Sequence, residues 1–153
     1  MSRILGIDHG TVRIGLALSD ELAMIANPLK TLDAGPESVS QIADIVRQKR
    51  VAEVVLGMPY RMTGERGSAT ERVEKFADRL RKVLPHEVSI HFVDERLSSK
   101  AALDSLGLKE KPRDREEKKI VDQIAAVAIL QDYLNTRQGP ESWLLPDEDS
   151  ELE

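Results

Sequence analysis

The sequence predicts an α/β fold in which an antiparallel meander opens a mixed sheet and helices alternate with the later strands. Three observations carry that prediction. Two short apolar runs flank the turn His9-Gly10-Thr11 near the start of the chain. A nearly all-apolar stretch at 52–57 lies between two segments of helical periodicity. A last segment, Ile120–Leu134, is apolar around most of its circumference.

Taken in order, Ile4-Leu5-Gly6-Ile7 and Ile14-Gly15-Leu16-Ala17-Leu18 read as the two strands of an antiparallel hairpin. A third, weaker strand is expected within 22–30, ending near Asn27-Pro28. After Gly35-Pro36, the spacing of Val39, Ile42, Ala43 and Val46 predicts an amphipathic helix over about 36–50. Ala52–Gly57 reads as a buried strand. Pro59, Gly64 and Gly67 mark the following segment as a loop, and Ser68-Ala69-Thr70-Glu71 has the form of a capping box. Val73, Phe76, Ala77, Leu80 and Val83 line the next helix, which Pro85 ends. Val88–Val93 reads as a strand and about 97–106 as a short helix. Lys109–Lys119 is expected to be a polar, charged loop, and Ile120–Leu134 a helix closed off by Gly139-Pro140.

Composition sets outer limits. A chain of 153 residues suits one domain with a tail, here 1–138 and a C-terminal extension at 139–153. The absence of cysteine excludes disulfides and thiolate metal sites. No apolar run approaches the roughly 20 residues of a membrane span, and nothing resembles a signal peptide, so a cytoplasmic protein is expected. Residues 147–153 carry five acids and no base, which accounts for the whole net charge of −5 and leaves residues 1–146 neutral. That tail is expected to stay solvated and disordered. A polyanionic substrate is therefore not excluded, because local patches decide the matter.

Three carboxylates stand out. Strand alternation puts Ile4, Gly6 and Asp8 on one face, with Gly6 leaving open space beside the acid. Asp122 lies within an apolar helix, where an unpaired carboxylate is costly; near a helix start it would instead complement the macrodipole. Ala125 and Ala126, one turn on, would let that helix approach a sheet closely. Asp94 and Glu95 end a strand side by side, and alternation sends them to opposite faces without choosing between them. Carboxylates without a His or Cys cluster suit Mg²⁺ or Mn²⁺, and such a set can hold two ions about 3.5–4 Å apart.

At this level the chain resembles a family. Gly6-Ile7-Asp8-His9-Gly10-Thr11-Val12-Arg13-Ile14-Gly15-Leu16-Ala17-Leu18-Ser19-Asp20 is similar to the opening signature of the YqgF family, RNase H-like proteins related to RuvC-type Holliday junction resolvases. Leu56-Gly57-Met58-Pro59 with Gly64, Asp94-Glu95-Arg96-Leu97-Ser98-Ser99, and Asp122-Gln123-Ile124-Ala125-Ala126 with Ile129-Leu130 resemble its other motifs in the right order over about 4–134. The resemblance implies an RNase H-like, five-stranded mixed sheet with helices on both faces. It implies a nuclease in which Asp8, Glu95 and Asp122 are catalytic and metal-ligating, so it prefers Glu95 to Asp94. It further implies processing of precursor 16S ribosomal RNA, with branched DNA as the other substrate, and precursor ribosomal particles as a setting for the work. Val12 departs from the pattern, where many members carry Lys.

Arg13, Arg61, Arg66 and Arg96 lie on or beside these motifs and are the expected phosphate contacts. The run Lys109–Lys119 is nearly balanced in charge and could close over a bound strand. His9 and His91 are expected to be structural or to support the ligands rather than to be ligands, with His9 the better functional candidate because it adjoins Asp8. A sugar-kinase-like ATPase, whose phosphate loop Asp8-x-Gly10-Thr11 resembles, would need a second lobe that 153 residues do not supply. A non-catalytic assembly factor on ribosomal RNA is the third class. A junction resolvase should be a symmetric homodimer, whereas RNA trimming needs only a monomer.

Overall fold

The computed structural model describes residues 2–60, 63–95 and 114–138. Five strands, β1 (Arg3–His9), β2 (Arg13–Ser19), β3 (Ala26–Asp33), β4 (Val51–Met58) and β5 (Ser89–Asp94), form one sheet in the order β3-β2-β1-β4-β5. β1, β2 and β3 are antiparallel neighbours, and β4 runs parallel to both β1 and β5. Helices α1 (Ser38–Gln48) and α2 (Ser68–Val83) cover one face and α3 (Arg115–Gln138) covers the other.

Alternation sorts the strand side chains between two cores as the sequence predicts. Leu5, Ile7, Leu16 and Leu56 pack with Val39, Ile42, Phe76 and Leu80 of α1 and α2. Ile4, Ala17 and Val55 pack with Ala126, Ile129, Leu130 and Leu134 of α3. β1 and β4 are buried on both faces, and so they read as continuous apolar runs.

Three boundaries differ from expectation. β3 begins at Ala26, about where the sequence suggested it should end, because Asp20 organises the preceding segment as a turn. Its carboxylate accepts the amides of Leu22, Met24 and Ile25 at 3.2, 2.7 and 2.9 Å. Pro28 is tolerated because β3 is an edge strand, with a register shift opposite it between Leu16 and Ala17. Helix α2 starts at Ser68, so Ser68 is already helical and does not form the expected box with Glu71. Instead the Gly67 amide donates to the Thr70 hydroxyl (3.2 Å), which itself donates to the Pro59 carbonyl (3.1 Å). These bonds staple the helix start to the loop after β4.

Helix α3 begins five residues earlier than the apolar pattern. The Asp114 carboxylate accepts the Glu117 amide at 2.9 Å, an N-cap bond, and Glu116 and Glu117 lie in the first turn where they complement the dipole. Residues 115–119, expected in a loop, are therefore helical. The expected helix at 97–106, Gly139-Pro140 and the acidic tail lie outside the described residues.

Two turns have left-handed backbone at residues other than glycine: Ala23 (φ 57°) and Arg50 (φ 56°). Arg50 follows the end of α1, a place where glycine is the usual occupant. Among the described residues no helix is long and apolar enough to cross a membrane.

Candidate active site at the carboxyl ends of β1 and β4

Asp8 is buried, with 8% of its surface exposed, near the end of the central strand. Its surroundings are set by two glycines. Gly15 of β2 is its direct antiparallel partner. On the other side the parallel register, Gly6 with Val55 and Ile7 with Leu56, brings Gly57 of β4 level with Asp8 when continued by one residue. Paired residues share a face, so both glycines leave Asp8 flanked by bare backbone on the α3 side of the sheet.

What occupies that space is the other two acids. A Cβ on Gly15 would stand 2.1 Å from the Asp122 carbonyl oxygen and 3.1 Å from the Asp122 Cβ. A Cβ on Gly57 would stand 2.5 Å from Glu95 Oε2 and 3.0 Å from Glu95 Cγ. Asp122 therefore lies over one neighbour of Asp8 and Glu95 over the other, each about one strand spacing (about 4.8 Å) away. Gly6 serves the same end, since a Cβ there would meet Leu130 Cβ at 2.7 Å and the Ala126 carbonyl at 3.2 Å. Ala125 and Ala126, expected to admit a close helix, are buried in this contact, but the space expected to lie open at Gly6 is filled by Leu130 and the Ala126 carbonyl. Glu95, which alternation could not separate from Asp94, is the acid placed over Gly57.

Because α3 starts at Arg115, Asp122 sits two turns inside the helix, and the macrodipole no longer accounts for it. Its carboxylate instead takes the Nε–H of Arg13 at 2.6 Å, with side-chain exposures of 27% for Arg13 and 15% for Asp122. Two glutamine bridges fix the helix: Gln123 donates to Thr31 Oγ1 (3.2 Å), and Gln131 accepts the Ala26 amide (2.9 Å). The Thr31 hydroxyl also reaches the Lys119 carbonyl at 2.9 Å.

His9 adjoins Asp8 and is held by α2. Arg72 donates from Nε to His9 Nδ1 and from Nη2 to the His9 carbonyl, both at 3.3 Å. The imidazole stacks on Phe76 at 4.2 Å, and Arg79 lies over the same phenyl ring at 5.6 Å. Burial, then the charges of Arg72 and Arg79, lower the His9 pKa to about 4 against a smaller opposing pull from Asp8. Arginine can only donate, so Nδ1 is an acceptor and His9 is neutral.

Of the four expected phosphate contacts, Arg13 is paired to Asp122 and Arg66 to Glu74 of α2. Arg61 and Arg96 lie outside the described residues. The cations the sequence reading missed are Arg72 and Arg79. Their spacing from Phe76, four residues before and three after, puts all three on one helical face, and that signal was available.

The donor set is chemically suited to a hard divalent cation: carboxylate oxygens, no thiol, and a histidine whose Nδ1 is already engaged. The glycines beside Asp8 are what admit Asp122 and Glu95 to it, and a side chain at either would push one of those acids away. Among the described residues no three acidic or histidine groups converge closely enough to grip one ion, and the Asp122 carboxylate is bonded to Arg13.

A family model described as "RuvX: Holliday junction resolvase" matches residues 2–136. A Chloroflexus aurantiacus protein named "Putative pre-16S rRNA nuclease" is 44% identical over 141 residues, covering 89% of this chain and 88% of that one. A Flavobacterium psychrophilum protein of the same name is 39% identical over 140 residues, covering 90% and 99%. Among solved structures, the Fowlpox virus resolvase with Holliday junction DNA superposes with a TM-score of 0.57 at 11% identity, covering 90% of this chain and 99% of that one. T. thermophilus RuvC with its junction substrate superposes with 0.52 at 19%, covering 91% and 97%. Those two likenesses concern the fold alone, and the fold is RNase H-like. Matched by the family model over most of its length, and by full-length relatives at 39–44% identity, the chain belongs to the RuvX, or YqgF, family.

Proposed function

We propose that this chain is a metal-dependent endonuclease that cleaves the precursor of 16S ribosomal RNA with Asp8, Glu95 and Asp122 as its acidic triad. The observation that carries the reading is the pair of glycines flanking Asp8, each with one of the other two acids directly above it. The names of the full-length relatives support RNA as the substrate.

In this mechanism Asp8, Glu95 and Asp122 would hold one or two Mg²⁺ or Mn²⁺ ions. Bound there, the metal supplies an activated water and Lewis-acid stabilisation of the phosphoryl oxygens. Asp8 is the fixed point, on the central strand with both flanks bare. Glu95 reaches the site from the end of the β5 edge strand. Asp122 is oriented by Arg13, which is then placed to exchange its carboxylate partner for a phosphate oxygen when substrate enters. Arg72 and Arg79 place positive charge beside His9, the residue next to Asp8. Arg61, Arg66 and Arg96 are the further phosphate contacts in this reading, and residues 1–138 are the nuclease unit, acting as a monomer or homodimer on precursor particles in the cytoplasm.

Branched DNA is the second reading, favoured by the description of the family itself. Cleavage of precursor 16S ribosomal RNA and of a four-way DNA junction, side by side with Mg²⁺ and Mn²⁺, decides between them. Asp8→Asn should abolish whichever cleavage is found. Wild-type rates in that variant would sink the nuclease assignment of this site.

A further inference from the structure

At the opposite end of the sheet from Asp8 lies a concave site of about 380 Å³ lined by Arg3, Glu21, Gln48, Lys49 and Arg50. It is built from the start of β1, the end of α1 and the turn leading into β4, joined by the Arg3 amide bonding to the Arg50 carbonyl at 3.4 Å. Three cations face one acid. Glu21 stands 3.6 Å from Arg3, while among the described residues neither Lys49 nor Arg50 makes an ion pair.

The second observation is the backbone of Arg50. Its φ of 56° is the left-handed conformation in which glycine is unstrained and a β-carbon is not. The partial negative charge at the end of α1 explains why basic side chains are favoured here, and Arg47 and Lys49 answer it from ordinary backbone. It does not explain a non-glycine residue at the one position where glycine would relax the turn. Strain retained beside unpaired cations in a concavity points to a ligand.

We propose that Arg3, Lys49 and Arg50 form a second phosphate-binding site, which takes a backbone phosphate of the bound nucleic acid away from the point of cleavage. Arg3 and Asp8 are five residues apart on one strand, about 16 Å. The odd separation puts the two side chains on opposite faces of the sheet, so the phosphate taken here belongs to a flanking segment that passes around the end of the sheet, not to the stretch seated at Asp8. The proposal rests on the nucleic-acid reading only for the identity of the polyanion.

The test measures binding, not cleavage. The full chain, in EDTA, is titrated by fluorescence anisotropy against a labelled 20-base-pair RNA hairpin from 50 to 250 mM salt, with Arg50→Gly and Lys49→Ala/Arg50→Gly beside the wild type. Each cation removed should weaken binding several-fold and lower the slope of log K against log salt by about one. Arg50→Gly should at the same time melt at or a few degrees above the wild-type temperature, so lost affinity cannot be laid to misfolding. Unchanged RNA affinity and slope in both variants would overturn the proposal. A parallel titration with ATP separates the sources of phosphate: ATP binding lost in the double variant while RNA affinity is kept would reassign the site to a free nucleotide and refute the nucleic-acid contact. Because no metal is present, these outcomes are independent of whether Asp8→Asn abolishes cleavage.

Discussion

Consider alanine at each of the two glycines that flank Asp8. At Gly15 the new methyl would stand 2.1 Å from the Asp122 carbonyl oxygen and 2.5 Å from its carbonyl carbon. Both belong to the α3 backbone, which is held along its length by Thr31 and by Gln131, so no rotamer change relieves the clash. The helix must retreat by more than an ångström. Overpacking of this kind costs about 1–3 kcal/mol, or roughly 2–12 °C in melting temperature for a chain of this size. At Gly57 the close atoms are Glu95 Oε2 at 2.5 Å and Ile129 Cδ1 at 2.6 Å, the far ends of flexible side chains. They can swing aside for less than about 1 kcal/mol, but Glu95 is then displaced by about an ångström, enough to cost on the order of 100-fold in rate. Thermal melts and Mg²⁺-dependent RNA cleavage, run on both variants, should separate them. Gly15→Ala should lose stability and activity together, and Gly57→Ala should lose activity at a near-native melting temperature. A native melting temperature for Gly15→Ala, or wild-type cleavage by Gly57→Ala, would refute the reasoning.

Two further outcomes follow from the polar contacts. His9 titrates at about 4 in the fold and near 6.5 when unfolded, so its contribution is complete above about pH 6.5 and declines as pH falls towards 4. Allowing for screening of a partly exposed ring, that loss is about 1–2 kcal/mol; urea unfolding at pH 4.5 and 7.0 should show it in the wild type and not in His9→Phe, which keeps the ring on Phe76. Tyr133 donates to Glu53 Oε1 at 2.6 Å, and burial, then that carboxylate, push its pKa up to about 12. Tyr133→Phe should cost about 1 kcal/mol in urea unfolding and remove the late step from an alkaline absorbance titration.

Much of this architecture was legible because buried strands and amphipathic helices carry their own periods. Ile4, Gly6 and Asp8 share a face for the reason the pleat demands, and the apolar register of Val73, Phe76 and Leu80 shows which side of α2 is covered. The misses have a common cause: single polar side chains that bond to nearby backbone amides. Asp20 delays β3, Asp114 starts α3 early, and Thr70 rather than Ser68 organises the entry to α2. None of these changes the apolar period, so a reading based on it passes over them. The site was partly legible for a different reason. Strand geometry isolates Asp8, but which acids meet it depends on where Gly15 and Gly57 admit close neighbours, and that is a property of the sheet register.

The placement of α3 also bears on how the molecule comes into being. Asp8 and Asp122 are 114 residues apart in a chain of 153, and the α3 core closes against strands made at the very start of synthesis. At about 5–20 residues per second, roughly 6–23 s pass between synthesis of Asp8 and of Asp122. During that interval the meander and the layer formed by α1 and α2 can assemble, while the opposite face of the sheet stays bare. A chain interrupted before α3 would therefore present an uncovered apolar sheet and lack Asp122. On the proposed assignment, newly made protein would stay inactive until α3 docked, and a truncated product would be recognised by its stickiness rather than by stray cutting.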